Sequence, residues 1–217
     1  MTMSRPNSPE KPVQIVAAGT EVVLREGIWN TTTRKLAAAA GISLATLHYH
    51  FENKEALLSA IFHSMIDAIR ASVREVFATP MPLTERIELA LGLSWKAAIE
   101  DMRQQLLYAE MTLYAARIGD AAWLGQRQYE AFVSLYVDML AGPDRLGAED
   151  GLDIEGLARF ILAAIDGVLI QHFAEPDAER SQRAIDRMVY LAHRFPLAWR
   201  DGEPEPVSAL TLGRRRE

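Results

Sequence analysis

Residues 31–58 read TTTRKLAAAAGISLATLHYHFENKEALL, and this stretch decides the fold. It opens within Asn30-Thr31-Thr32-Thr33, a run of side chains whose oxygens accept from the free amides at a helix start. A short helix over Arg34–Ala40 follows. Gly41 then supplies a backbone that turns left-handed without steric cost. Ser43 caps a second short helix, Leu44–His50, and Asn53 caps a long third one running from Lys54 to Ala78. Leu36, Ala37, Ala40, Ile42 and Leu47 form the small apolar set that holds the two short helices at a steep angle. Alanines at 37–40 keep the first of them slim enough to pack closely. Two short helices joined by a glycine turn, resting on a stabilising helix, have the helix-turn-helix form. In that form the second helix offers its outer face to a DNA major groove about 12 Å wide.

Working outward, Ile15, Val16, Ala18, Gly19, Val22, Val23 and Leu24 cluster on one face of a preceding helix that stops at Gly27. Trp29 is expected in the core of this three-helix unit. Residues 1–12, with Pro6, Pro9 and Pro12, read as a flexible arm. Downstream, Leu57, Leu58, Ile61, Met65, Ile69, Val73 and Phe77 draw one stripe along the long helix, which Pro80 and Pro82 end. Leu83–Arg117 reads as two helices with a break near Glu100-Asp101. Ala121–Leu140 is closed by Gly142-Pro143, Asp153–Ala174 by Pro176, and Asp177–Trp199 contains Pro196 near its end. Arg145–Asp150 is a loop with acidic residues, and residues 201–217 read as a disordered tail whose Arg214-Arg215-Arg216 run fits a solvated end better than a phosphate contact. No segment has strand periodicity. The expected fold is all-α with about nine helices. A helix-turn-helix DNA-binding domain over residues 13–63 precedes a helical domain over 64–200.

Composition removes several classes of function. The 217 residues contain no Cys, which excludes a disulfide scaffold, thiolate metal sites and a thiol nucleophile, and suits a reducing cytoplasm. Residues 1–12 lack the apolar stretch of a signal peptide. The longest oily run, Phe160–Phe173, is short for a bilayer span and carries Asp166, so no membrane partner is expected. No Gly-rich phosphate loop, nucleophile elbow or HExxH is present, and no catalytic residue is assigned. His48 and His50 point about 200° apart on a helix and cannot chelate one ion, so neither a metal nor a cofactor is expected. The net charge of −6 argues against a nucleic-acid partner only until its distribution is considered. Through residue 51 five cations face three carboxylates, a net +2, and the remainder carries −8.

The residues themselves are more specific than the pattern. Gly27, Thr32-Thr33, Leu36-Ala37, Ala40-Gly41-Ile42-Ser43, Thr46-Leu47, His50-Phe51 and Asn53-Lys54-Glu55-Ala56-Leu57 closely resemble the DNA-binding segment of the tetracycline-repressor (TetR) family. That family carries Gly, Thr-Thr, Ile/Leu-Ala, Ala-Gly-Val/Ile-Ser, Thr-Leu-Tyr-x-His-Phe and Ser/Asn-Lys-Glu-x-Leu in this order. The resemblance spans roughly residues 11–65 and implies a role for each position. Thr32 and Thr33 cap the first motif helix at a phosphate. Arg34 enters the major groove, where its fork suits a guanine edge. Ser43, Leu44, Ala45 and Thr46 begin the recognition helix and meet bases. Tyr49 and His50 lie over the backbone, and Lys54 brings a cation to a phosphate. Two positions depart from the family. His48 stands where Tyr is usual, with a shorter reach and a pH-dependent charge. Leu44 offers only apolar contact where a polar side chain would read a base.

The family resemblance implies that the rest of the chain dimerises and senses a small-molecule effector. Phe160–Phe173 is oily all round, which requires burial on several sides. Ile161, Ile165, Val168 and Leu169, with the stripe Ile185, Met188, Val189, Ala192 and Phe195, are expected to form a four-helix bundle across a two-fold axis. Such a homodimer sets two recognition helices one DNA turn apart on a palindromic operator. Trp95, Met102, Tyr108, Met111, Tyr114, Trp123, Tyr129, Phe132 and Tyr136 bring apolar area, several with a polar handle, and are candidates for an effector pocket. Asp166, Gln171 and His172 would mark its polar end. Aromatics at helical spacing also fit ordinary core, and Asp166 also fits a polar pair across the dimer axis. The function expected is a ligand-released repressor. The alternative is a helical small-molecule-binding or protein-interaction module that does not bind an operator.

Overall fold

The computed structural model describes residues 10–143 and 152–192. Within them run nine α-helices: α1 (Glu10–Glu26), α2 (Thr33–Ala39), α3 (Leu44–His50), α4 (Lys54–Phe77), α5 (Leu83–Glu100), α6 (Met102–Arg117), α7 (Ala122–Ala141), α8 (Ile154–Ala174) and α9 (Ala178–Ala192). A single 3-10 turn, Gly119–Ala121, leads into α7. The fold is all-helical, with the helix-turn-helix unit at the amino-terminal end. The expected boundaries at residues 12 and 63 fall inside α1 and α4. The loop 145–150, the tail 201–217, Phe195 and the side chain of Ala192 lie outside the described residues.

Local chemistry sets the helix starts. Thr32 Oγ1 accepts from the Lys35 amide at 3.3 Å, Ser43 Oγ from the Thr46 amide at 3.0 Å, and Asn53 Oδ1 from the Ala56 amide at 2.8 Å. Asp101 separates α5 from α6 by accepting from the amides of Arg103 and Gln104. Gly41, at φ 65°, ends α2: its amide donates to Ala38 O at 3.1 Å and the Ile42 amide to Ala37 O at 3.0 Å. α1 begins at Glu10, so Glu10, Lys11 and Pro12 belong to the helix and not to an arm. A proline is accepted there because the first-turn amides have no intrahelical partner.

Two apolar clusters form the interior. The first joins Ile15, Val22, Ile28, Leu36, Leu47, Leu58 and Phe62 to Leu107, Met111 and Tyr114 of α6 and Leu124 of α7. The helix-turn-helix unit therefore shares its core with the helices behind it. The second lies among α5, α7, α8 and α9, with Phe77 at the end of α4. Ile69 of α4 and Phe132 of α7 pack against both clusters. Trp29 is not core: it is 48% exposed, because Ile28 takes the fully buried place after the Gly27 turn, and its ring meets Tyr114 edge-on at 5.0 Å.

Arg86 is wholly buried between the ends of α4 and α7. Its guanidinium donates to the carbonyls of Phe77, Thr79, Met81 and Met139 at 3.2–3.4 Å. These include carbonyls from the last turns of two helices, where the backbone is electronegative. Gly142, at φ 59°, passes so close that a Cβ would fall 2.0 Å from Arg86 Nη1.

The expected dimer residues on α8 and α9 need correction. Ile161, Ile165, Val168, Leu169 and Ile185 are buried inside the subunit's own core, and Met188 and Val189 pack half-buried against it. α8 touches α5, α7 and α9, so its apolar residues on several sides serve the same chain. The face turned outward carries Phe160, Ala163, Gly167 and Ile170. By length and composition α4 and α8 could each cross a membrane, and here both pack into the helical core.

Candidate functional site

The first site is the outer surface of α2 and α3. Thr32, Arg34, Ser43, Ala45, His48 and Tyr49 are exposed, and Thr33, Leu44, Thr46 and His50 are partly exposed beside them. The caps that start both helices also fix where these side chains project. Ser43 and Thr46 share a hydroxyl hydrogen bond at 2.8 Å at the start of α3. Tyr49 is 70% exposed and meets His50 edge-on at 5.0 Å. His50 turns Nε2 inward, where it has no partner among the described residues.

Two neighbouring cations behave differently. Lys35 is held by Glu26 at 2.7 Å and by the Asn30 carbonyl at 2.8 Å. With Arg25, it keeps the Glu26 carboxyl below its usual range. Arg34 is exposed and forms no ion pair among the described residues, which leaves its guanidinium available to an outside acceptor. Lys54 departs from expectation. Its ammonium points inward, donating to Ile28 O at 2.7 Å and lying 4.8 Å from the Tyr114 ring centre. Its charge therefore faces α6 and not an outside phosphate, and burial lowers its pKa.

α6 is the bridge. Glu110 Oε2 accepts from the Ile28 amide at 2.9 Å, beside the left-handed Gly27. Tyr114 donates to Glu55 at the start of α4. Two turns earlier on α6, Gln105, Tyr108 and Ala109 face a cavity of about 410 Å³. That volume lies within the range of small-molecule sites, about 300–1,000 Å³.

The cavity is lined from α4, α5, α6, α7 and α8. Of the expected residues it brings together Tyr108, Tyr129, Phe132, Tyr136 and Asp166. Tyr129 Oη donates to Asp166 Oδ2 at 2.8 Å, and Tyr136 Oη shares a hydrogen bond with Ser94 Oγ at 2.6 Å. Burial pushes the Asp166 carboxyl up, against the opposing Tyr129 bond. Burial, then the Asp166 contact, takes the Tyr129 phenol to about 12. Tyr108 also rises to about 12 by burial, and Tyr136 is pushed up by the same cause.

The other expected pocket residues lie elsewhere. Trp95 is core and meets His172 edge-on at 5.5 Å, while His172 Nδ1 shares a hydrogen bond with Ser181 Oγ at 3.0 Å. Met111 and Tyr114 belong to the amino-terminal cluster. Trp123 carries the Arg127 guanidinium 5.2 Å from its ring centre, Met102 stands outside the lining, and Gln171 faces solvent. The sequence reading missed Gln128. It is 2% exposed and lines the cavity. It donates through Nε2 to Tyr108 O at 2.8 Å, leaving Oε1 without a partner among the described residues. Its signal was a polar side chain four residues after Leu124 and seven before Leu135, both buried positions. Among the described residues no group of three or more His, Asp or Glu could hold a metal ion.

The capped α2–turn–α3 unit, with its polar outer face, defines a helix-turn-helix DNA-binding protein that carries a larger helical domain. Residues 15–61 match the family described as "Bacterial regulatory proteins, tetR family". The chain is 24% identical over 188 residues to the HTH-type nicotine-responsive transcriptional repressor HdnoR of Paenarthrobacter nicotinovorans, covering 85% of this chain and 95% of that one. The fold is shared with a TetR transcription regulator from Haloarcula marismortui, at a TM-score of 0.65, 19% identity, and 88% and 99% coverage. It is also shared with the regulator FadR from Bacillus subtilis in complex with stearoyl-CoA, at a TM-score of 0.60, 19% identity, and 82% and 97% coverage. Residues 15–61 thus match the DNA-binding segment of the TetR family, and the chain as a whole shares the fold of regulators of that kind. It is a DNA-binding transcriptional regulator.

Proposed function

We propose that the protein is a ligand-released repressor that binds a palindromic operator as a homodimer in the cytoplasm, without a membrane partner. The observation that carries this reading is the double attachment of α4 and α6. α4 starts beside the recognition helix and contributes Ile69, Val73 and Val76 to the cavity wall. α6 contributes Tyr108 to the same wall and holds the turn before α2 through Glu110. A molecule that binds the cavity better in one placement of these helices shifts the DNA-reading unit with them. HdnoR is named for its response to nicotine, and FadR was solved with stearoyl-CoA, so a small-molecule effector suits this cavity too.

On the DNA, Thr32 and Thr33 serve phosphates, Arg34 a guanine edge, and Ser43, Leu44, Ala45 and Thr46 the bases. His48, Tyr49 and His50 follow the backbone. The outward face of α8 (Phe160, Ala163, Gly167, Ile170), with Tyr190 and Leu191 of α9, fits the two-fold contact. Around Gly167 a Cβ would find open space, which permits close approach of a second helix.

Selection of bound fragments from genomic DNA, followed by fluorescence anisotropy over a salt series, tests this reading. A single inverted-repeat site, and affinity falling steeply and linearly in log–log form as salt rises, are the expected results. DNA passing unretained at low ionic strength, or a stable monomer in sedimentation at micromolar concentration, would overturn it.

A further inference from the structure

Resting on the reading of the cavity as the effector site, we propose the effector's chemical class: a largely apolar molecule bearing a protonated amine, which pairs with the Asp166 carboxylate. The charged lining is Lys96, Glu100 and Asp166. Lys96 and Glu100 stand 3.9 Å apart with both side chains about two-thirds exposed, so they neutralise each other at the rim. Asp166 is half-buried, accepts one hydrogen bond from Tyr129, and has no cation paired with it among the described residues. A carboxylate taken out of water with a single hydroxyl donor is under-compensated. A cation would supply the missing partner, and an anionic ligand would meet like charge instead.

A further observation points the same way. Gln128 Oε1 is a buried acceptor with no donor, and it lies in the same lining. An unsatisfied acceptor rewards a ligand that brings an N–H and penalises one that brings another acceptor. Tyr108, Tyr129, Phe132 and Tyr136 also line the space, and aromatic rings are compatible with a cation and with hydrocarbon alike. The polar atoms left open therefore ask the ligand for donors and positive charge, and the rest of the wall asks for hydrocarbon.

Three probes of one shape test this on the full chain by calorimetry at neutral pH: 4-phenylbutylamine, 4-phenyl-1-butanol and 4-phenylbutanoate. The amine is expected to bind roughly tenfold tighter than the alcohol, the step from a neutral to a charge-assisted hydrogen bond, with the carboxylate weakest. In Asp166→Asn the advantage of the amine over the alcohol should vanish, with circular dichroism reporting whether the variant folds. Alcohol binding as tightly as amine, or carboxylate binding best, overturns the amine class and leaves the effector cavity standing. Binding of none of the three overturns both. An amine advantage that survives in folded Asp166→Asn overturns the role of Asp166. The ranking on the unmodified protein decides the ligand class even if that variant does not fold.

Discussion

Between Thr32 and His50 the exposed side chains come from one stretch of two short helices, whereas the cavity draws its wall from five helices between Ile69 and Phe173. On the α2–α3 surface, position is set by caps and by one glycine turn. Apart from the capping Thr32 and Ser43, the projecting side chains contribute little to holding the fold. In the cavity Tyr129 is bonded to Asp166 of another helix and Gln128 to the Tyr108 carbonyl, so a change at these positions disturbs neighbours on other helices. The difference teaches where function and stability separate. They separate on the surface and are coupled in the interior.

The strongest way to stress the interior is Arg86→Ala. Four carbonyls lose their donor and a fully buried volume empties. Relief from burying a guanidinium offsets part of this. Unsatisfied carbonyls at two helix ends outweigh that relief, and a net loss of about 3 kcal/mol is expected in urea unfolding. Unchanged stability would mean that desolvation of the guanidinium cancels its hydrogen bonds.

The opposite result is expected from Arg34→Ala. An exposed side chain without an ion pair leaves the unfolding free energy within about 0.5 kcal/mol of the parent. If Arg34 reads a guanine, operator affinity falls by about 1–3 kcal/mol. Loss of stability with affinity preserved would reverse the contrast between surface and interior.

Glu110→Ala probes the junction. The Ile28 amide loses the carboxylate it donates to, and the Gly27 turn loses its brace. A cost of about 1–2 kcal/mol in stability is expected, because the acceptor is charged and the bond partly buried. Operator affinity should fall together with stability, unlike in Arg34→Ala. An effect on one alone would show that α6 does not brace the reading unit.

How much of this was legible depended on how local each signal is. Thr32, Gly41, Ser43, Asn53 and Asp101 act within three or four residues of themselves, so caps, turn and helix breaks could be read directly. The side of a helix that faces its own core is not local. On α6, Tyr108 faces the cavity while Met111 and Tyr114, one and two turns on, enter the amino-terminal cluster. All three look alike in sequence. α8 is the sharper case: apolar residues surround it, so nothing in its pattern distinguished Ile161 and Ile165, which are core, from Phe160 and Ile170, which face out. Lys54 misled for a related reason, since its partners Ile28 and Tyr114 are distant in sequence.

The smallest expected effect separates a buried carboxyl from exposed ones. Burial raises the Asp166 pKa above its unfolded value, so the folded protein keeps that proton to higher pH than the unfolded chain does. Stability from this group is complete below the unfolded value, about 3.9, and is lost as pH rises through the folded value. Glu26 and Asp177, whose carboxyls are lowered by hydrogen bonds, act in the opposite direction: their contribution is present above the unfolded value and lost as pH falls. Comparison of Asp166→Asn with the parent cancels those two, because both proteins carry them. Asn does not titrate, so urea unfolding from about pH 4 to 7 should show the difference moving steadily in favour of the variant before it levels. A difference independent of pH would mean that Asp166 ionises alike in the folded and unfolded chains, and that the cavity wall holds its carboxyl as openly as the helix-turn-helix surface holds its side chains.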